Sequence, residues 1–141
     1  MPEKRIKIAR ILVTMPALFL AIGPPLADFN ATHATNPLWP GHARLHMVWL
    51  VCTNSLIALL ALAVLWRAPQ QPKSAPILLA AARVGAVLLG FFVAAATQGA
   101  YAGTLTDPNG IPFHIGPLDA NLAAFSVCAA LLAVGVVLGR K

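Results

Sequence analysis

Acidic residues are what this sequence most lacks. Its 141 residues hold four carboxylates against ten Lys or Arg, and charged side chains make up only 10% of it. A soluble domain of this length carries about a quarter. With 59% hydrophobic residues and a mean hydropathy of +0.78, the chain has more apolar surface than one small core can bury. A soluble globular enzyme and a disordered tail are thereby excluded. Cysteine is also scarce, and two residues are too few for a disulfide scaffold. There is no internal repeat and no low-complexity segment. What remains is an integral membrane protein, with no room for a second domain.

A helix crosses the hydrocarbon core in about 20 apolar residues. Met47 to Trp66 is 20 residues without a charge, Val84 to Thr106 is 23, and Ala120 to Gly139 is 20. Ile11 to Ala27 is also uncharged, and it reaches that length if Ile6 to Arg10 join it with Lys7 and Arg10 snorkelling. The expectation is an all-α, four-helix membrane bundle, a single domain with spans at about 6–27, 47–66, 84–106 and 120–139. Proline and glycine mark the loops from Asp28 to Leu45, Arg67 to Arg83 and Asp107 to Asp119.

The basic residues orient the spans. Lys4, Arg5, Lys7 and Arg10 precede the first, Arg67, Lys73 and Arg83 flank the second loop, and Arg140 and Lys141 close the chain. By the positive-inside rule that side is cytoplasmic, and both termini with it. A multi-pass protein of a bacterial inner (plasma) membrane is expected. The net charge of +6 then serves topology and contact with the lipid bilayer, and nucleic acid is not expected as a partner. Pro25-Leu26-Ala27 is a poor small-residue cleavage site, so the first span is expected to be retained.

The other polar residues are sorted by side. His33, His42, His46 and His114 all lie in the two outer loops or at their edges, as do Asp28, Asp107, Asp119 and the one remaining base, Arg44. Polar residues collect in loops generally, but the inner loop has neither His nor Asp. A functional site at the outer helix ends follows. Asn36-Pro37 and Trp39-Pro40-Gly41 stiffen the first outer loop. A helix is predicted to begin after Gly41, placing His42 and His46 one turn apart, about 40° around the axis, with Trp49 and Thr53 on the same face. Two such histidines can chelate one metal ion, and one alone can ligate haem iron. His46 is expected to be shielded by Trp39 and Trp49.

Within the spans, Tyr101 lies near Thr97 and Gln98 at the outer end of the third helix, and Asn54 lies two turns below His46. Asp119 opens the fourth helix, where a carboxylate complements the helix dipole or serves a site. Asn54 and Gln98 suit interhelical hydrogen bonds equally well. Cys52 and Cys128 are read as small apolar fillers. Asn30-Ala31-Thr32 is a sequon close to the membrane.

The second helix opens Ala43-Arg44-x-His46, the third begins near Ala82-Arg83 and carries Tyr101, and the last loop reads Gly116-Pro117-x-Asp119. In that order, on four spans, the chain resembles the small membrane-bound styrene oxide isomerase, a haem-b-dependent trimer that rearranges aryl epoxides to aldehydes. The resemblance implies His46 as axial haem ligand, Tyr101 as a substrate-orienting residue, and Asn54, at a different spacing, on the substrate side. Arg44 would then meet a haem propionate. A homotrimer would use small residues such as Ala80, Ala81 and Gly85 at its interface. His33, His42 and the Asn-Pro/Trp-Pro element lie outside that pattern. They are similar instead to uncharacterised small membrane proteins with an N-P-x-W-P-x-H-A-R-x-H signature.

Three readings stay open. The first is a haem-dependent isomerase of lipophilic epoxides, working by Lewis-acid catalysis in a dry site. The second is a non-haem Zn, Cu or Fe enzyme in which His42 and His46 act with His33, His114 or Asp119. The third is a non-catalytic membrane subunit or small-molecule carrier.

Overall fold

The computed structural model describes residues 2–67, 74–106, 114–115 and 118–140. Four helices dominate it: α1 (Pro2–Asp28), α2 (Gly41–Arg67), α3 (Ser74–Thr97) and α4 (Ala120–Arg140). All four are long and apolar enough to cross a membrane, α3 together with the 3-10 turn Gln98–Tyr101 that extends it. The protein is a four-helix, multi-pass membrane bundle. Two short strands, β1 (His114–Ile115) and β2 (Leu118–Asp119), pair antiparallel ahead of α4, with His114 opposite Asp119.

Both limits of α3 differ from its expected span, each for a local reason. α3 starts at Ser74 rather than near Val84, because Arg83 need not end a helix whose backbone can take up its charge. The Arg83 guanidinium donates to Leu79 O at 2.8 Å, one turn back. The far end stops at Tyr101 rather than Thr106. There Ala102 turns left-handed (φ 54°) and Gly103 N–H closes on Gln98 O at 2.8 Å, a helix-terminating geometry.

The helices form a ring in chain order. α1 packs on α2 and α4, α3 packs on both as well, and α1 meets α3 across the diagonal; α2 and α4 do not touch among the described residues. The core is narrow because its residues are small. Ala9, Ala17, Ala58, Ala61, Ala80 and Ala81 are all buried, filled in by Val13, Leu20, Leu65, Ile77, Val84 and Leu88. Cys128 lies in this core as an apolar filler, and both cysteines are free. Large side chains point outward instead, among them Ile11, Leu18, Leu56, Leu60 and Leu89. In a bilayer, lipid solvates those residues, and close backbone approach through small residues holds the helices together.

Ala80 and Ala81 are therefore used inside the bundle, and a Cβ on Gly85 would rest on Leu132 of α4. Burial takes Ala80 and Ala81 out of the trimer interface that the resemblance implies for them, whereas Gly85 stays half-exposed. Gly135 shows how tight the α1–α4 seam is. A Cβ there would lie 3.0 Å from Val13 Cγ2 and 3.2 Å from Ala9 O, and the backbone oxygen has nowhere to go. Gly135→Val is expected to cost about 1–3 kcal/mol through overpacking. Unfolding by sodium dodecyl sulfate in mixed micelles should show its midpoint at lower denaturant.

The ring has two chemically distinct ends. Ala9 and Val13 meet Gly135, Ile77 meets Gly139, and Arg10 lies beside Trp66, so the basic residues of the first helix share an end with Arg67 and Arg140. The opposite end carries the 28–41 loop, the start of α2 and Asp119.

Candidate functional site

The connection from α1 to α2 is built by two asparagines. Asn30 donates from its amide to Ala27 O (2.7 Å), capping the end of α1, while its Oδ1 accepts from Thr32 N (2.8 Å) and Thr32 Oγ1 (2.6 Å). Asn36 is 2% exposed. It donates to Thr32 O (2.9 Å) and accepts from Leu38 N (3.0 Å), and both its backbone groups are paired, to His33 O and Trp39 N. A buried polar side chain persists only when paired in this way. The loop is a fixed piece of structure that presents the start of α2. Asn36-Pro37 was visible as a turn, but no sequence signal marked Asn36 as the buried centre of the loop.

His33 belongs to this loop. Its Nδ1 lies 2.7 Å from Thr32 Oγ1 and 3.9 Å from Asp28 Oδ1, and Trp39 packs edge-on against its ring at 5.4 Å. Trp39 thus covers His33 and not His46, contrary to the expected shielding. Only Trp49 flanks His46, with ring centroids 5.8 Å apart.

His42 and His46 come together as the i, i+4 spacing predicts. Their Nε2 atoms are 3.0 Å apart and their rings stand nearly perpendicular, with centroids 4.4 Å apart. Two nitrogens bound to one metal at about 2.0–2.1 Å are separated by about 2.9 Å at a right angle and about 3.4 Å at the tetrahedral angle. The 3.0 Å contact is a hydrogen bond in which one ring's Nε2–H donates to the other's Nε2, at a separation that a chelate of one ion also allows. Both rings are exposed, because Val51, Ala58, Ala61 and Leu65 turn the other side of α2 into the bundle. Among the described residues no third His, Cys, Asp or Glu joins them. An ion held here would keep open positions for water or substrate.

The remaining expected site residues are dispersed. Arg44 is about 160° around the helix from either histidine, half-buried, with a guanidinium nitrogen beside Gly41. Asn54 lies about 80° from His46 around α2, half-buried towards the bundle. Tyr101 donates its hydroxyl to Ala94 O (2.6 Å) on its own helix, and its ring fills the space where a Cβ of Gly103 would sit. Asp119 caps α4 by accepting from Asn121 N (2.8 Å) and Leu122 N (3.2 Å), and Thr106 Oγ1 donates to its other oxygen. This is the dipole-complementing role of a helix-opening carboxylate. The His114 side chain and Asp107 lie outside the described residues; the His114 backbone pairs with that of Asp119.

As a donor set, the site offers two imidazoles, with no third His, Cys, Asp or Glu beside them among the described residues. No curated protein and no solved structure matches the chain. A family model does, over residues 12–141, which takes in most of α1, the 28–41 loop, the histidine pair and the three later helices. The chain belongs to that family, described as a family of unknown function, DUF6640.

Proposed function

We propose that this protein is a membrane metalloenzyme in which His42 and His46 hold one transition-metal ion at headgroup level, where it acts on a lipophilic small molecule drawn from the bilayer. The 3.0 Å separation of the two Nε2 atoms carries this reading, and the outward direction of the pair supports it. A ligand reaching the site sideways from lipid crosses no protein layer. When bound, such an ion supplies Lewis-acid polarisation of a coordinated oxygen. His42 and His46 fix its position, and Trp49 gives the site an apolar wall at the membrane interface. The asparagine-tied loop holds the first turn of α2 in place. Isomerisation of a lipophilic epoxide to a carbonyl, the reaction that the resemblance to styrene oxide isomerase implies, needs no proton exchanged with water and suits this setting. It is the activity to assay first.

Cobalt(II) titration of the protein in lipid nanodiscs tests the proposal. A visible ligand-field spectrum should saturate with one ion bound per chain and vanish in the His42→Ala, His46→Ala double variant. A spectrum unchanged in that variant would overturn the assignment. Added haemin giving a Soret band that needs His46 but not His42 would favour haem ligation instead.

A further inference from the structure

At the opposite end of the bundle, the seam between α1 and α2 carries a basic cluster that metal binding does not use. Lys7, Arg10 and Thr14 fall on one face of α1 at i, i+3 and i+7. Across the seam stands Trp66, followed by Arg67. The Trp66 indole N–H donates to Thr14 Oγ1 at 3.0 Å, and Thr14 donates in turn to Arg10 O at 2.8 Å. These bonds lock the indole as a platform, and the Arg10 guanidinium lies 5.8 Å from its ring centroid, within cation–π range. Among the described residues the Arg10 guanidinium has no hydrogen bond or ion pair, and its Nε is buried without a partner. Glu3 lies on the same face and is engaged in an interaction of its own. A guanidinium fixed on an indole with unspent donors is an incomplete site, and what completes it is an anion with several acceptor oxygens.

Depth identifies the source of that anion. Arg10 is the last charge before the apolar run that starts at Ile11, and Trp66 is the last residue of the apolar run that starts at Met47. Both therefore stand at the boundary between hydrocarbon and headgroups, where Trp and snorkelling Arg collect. We propose that Arg10, seated on Trp66 and assisted by Lys7 and Arg67, binds the phosphodiester of an anionic phospholipid headgroup at the basic end of the α1–α2 seam.

The indole itself reports on the site. In a Trp39→Phe, Trp49→Phe background Trp66 is the only tryptophan, and brominated acyl chains quench it on contact. In phosphatidylcholine bilayers containing a minor fraction of brominated phosphatidylglycerol, quenching should exceed that from an equal fraction of brominated phosphatidylcholine. The excess should correspond to about fivefold local enrichment for one cation at the surface. Arg10→Gln should remove the excess, while Lys4→Gln, equal in charge but about 120° away around the helix, should leave it. Equal quenching by the two lipids with Arg10 intact would overturn the proposal, as would equal losses in both variants, which would mean diffuse electrostatics. Abolition of the excess by millimolar inorganic phosphate would assign the site to a free anion and overturn the lipid assignment. Helical circular dichroism identifies any variant that fails to fold.

Discussion

His46→Ala is expected to lower the affinity of the protein for zinc or cobalt by at least about 10- to 100-fold, because losing a ligand should cost no less than losing a partner that merely orients one. His42→Ala is expected to do the same, since neither Nε2 has another His, Cys, Asp or Glu to help it hold an ion among the described residues. The fold should be indifferent. Both rings are exposed on the side of α2 that faces away from the core, and surface substitutions of that kind stay within about 0.5 kcal/mol. Isothermal titration with each single variant checks the equality of the two losses. That equality discriminates, because an axial haem site would lose its iron with His46 and keep it without His42.

Asn36→Ala should damage the presenting loop far more than its small size suggests. It removes the partners of Thr32 O and Leu38 N–H, both in part-buried hydrogen bonds, at up to about 1–3 kcal/mol for each group left unsatisfied. Limited proteolysis should then cut between residues 29 and 40 much faster than in the unaltered chain. Asn36→Asp keeps the acceptor for Leu38 N and loses only the donor to Thr32 O, so its cleavage rate should fall between the two. Metal affinity should drop less than in the histidine variants, because the i, i+4 geometry belongs to α2 itself.

Much of this molecule was legible in the sequence because a membrane simplifies the physics. Uncharged runs such as Met47 to Trp66 can do little but span as helices, since lipid offers backbone groups no partner. The meeting of His42 and His46 followed from helical period alone. The same period sets Arg44 on the other side of α2, because residues two apart on a helix face nearly opposite ways. Other features had no sequence signal. Arg83 lies well inside α3 because its guanidinium reaches a carbonyl one turn away, which charge counting treats as a helix boundary. Tyr101 turns back on Ala94 O, an outcome decided by the left-handed residue that follows it. Trp39 covers His33 rather than His46 because Asn36 fixes the path of the loop between them.

The central claim is that the histidine pair is a metal site, and metal content tests it most directly. Protein purified from its own membranes without chelators or added metal can be assayed by elemental analysis and absorption spectroscopy on one sample. The account predicts a stoichiometric transition-metal ion, no Soret band, and loss of that ion in His42→Ala and His46→Ala alike. Metal-free protein that binds no added ion, or a haem spectrum that persists in His42→Ala, would contradict it.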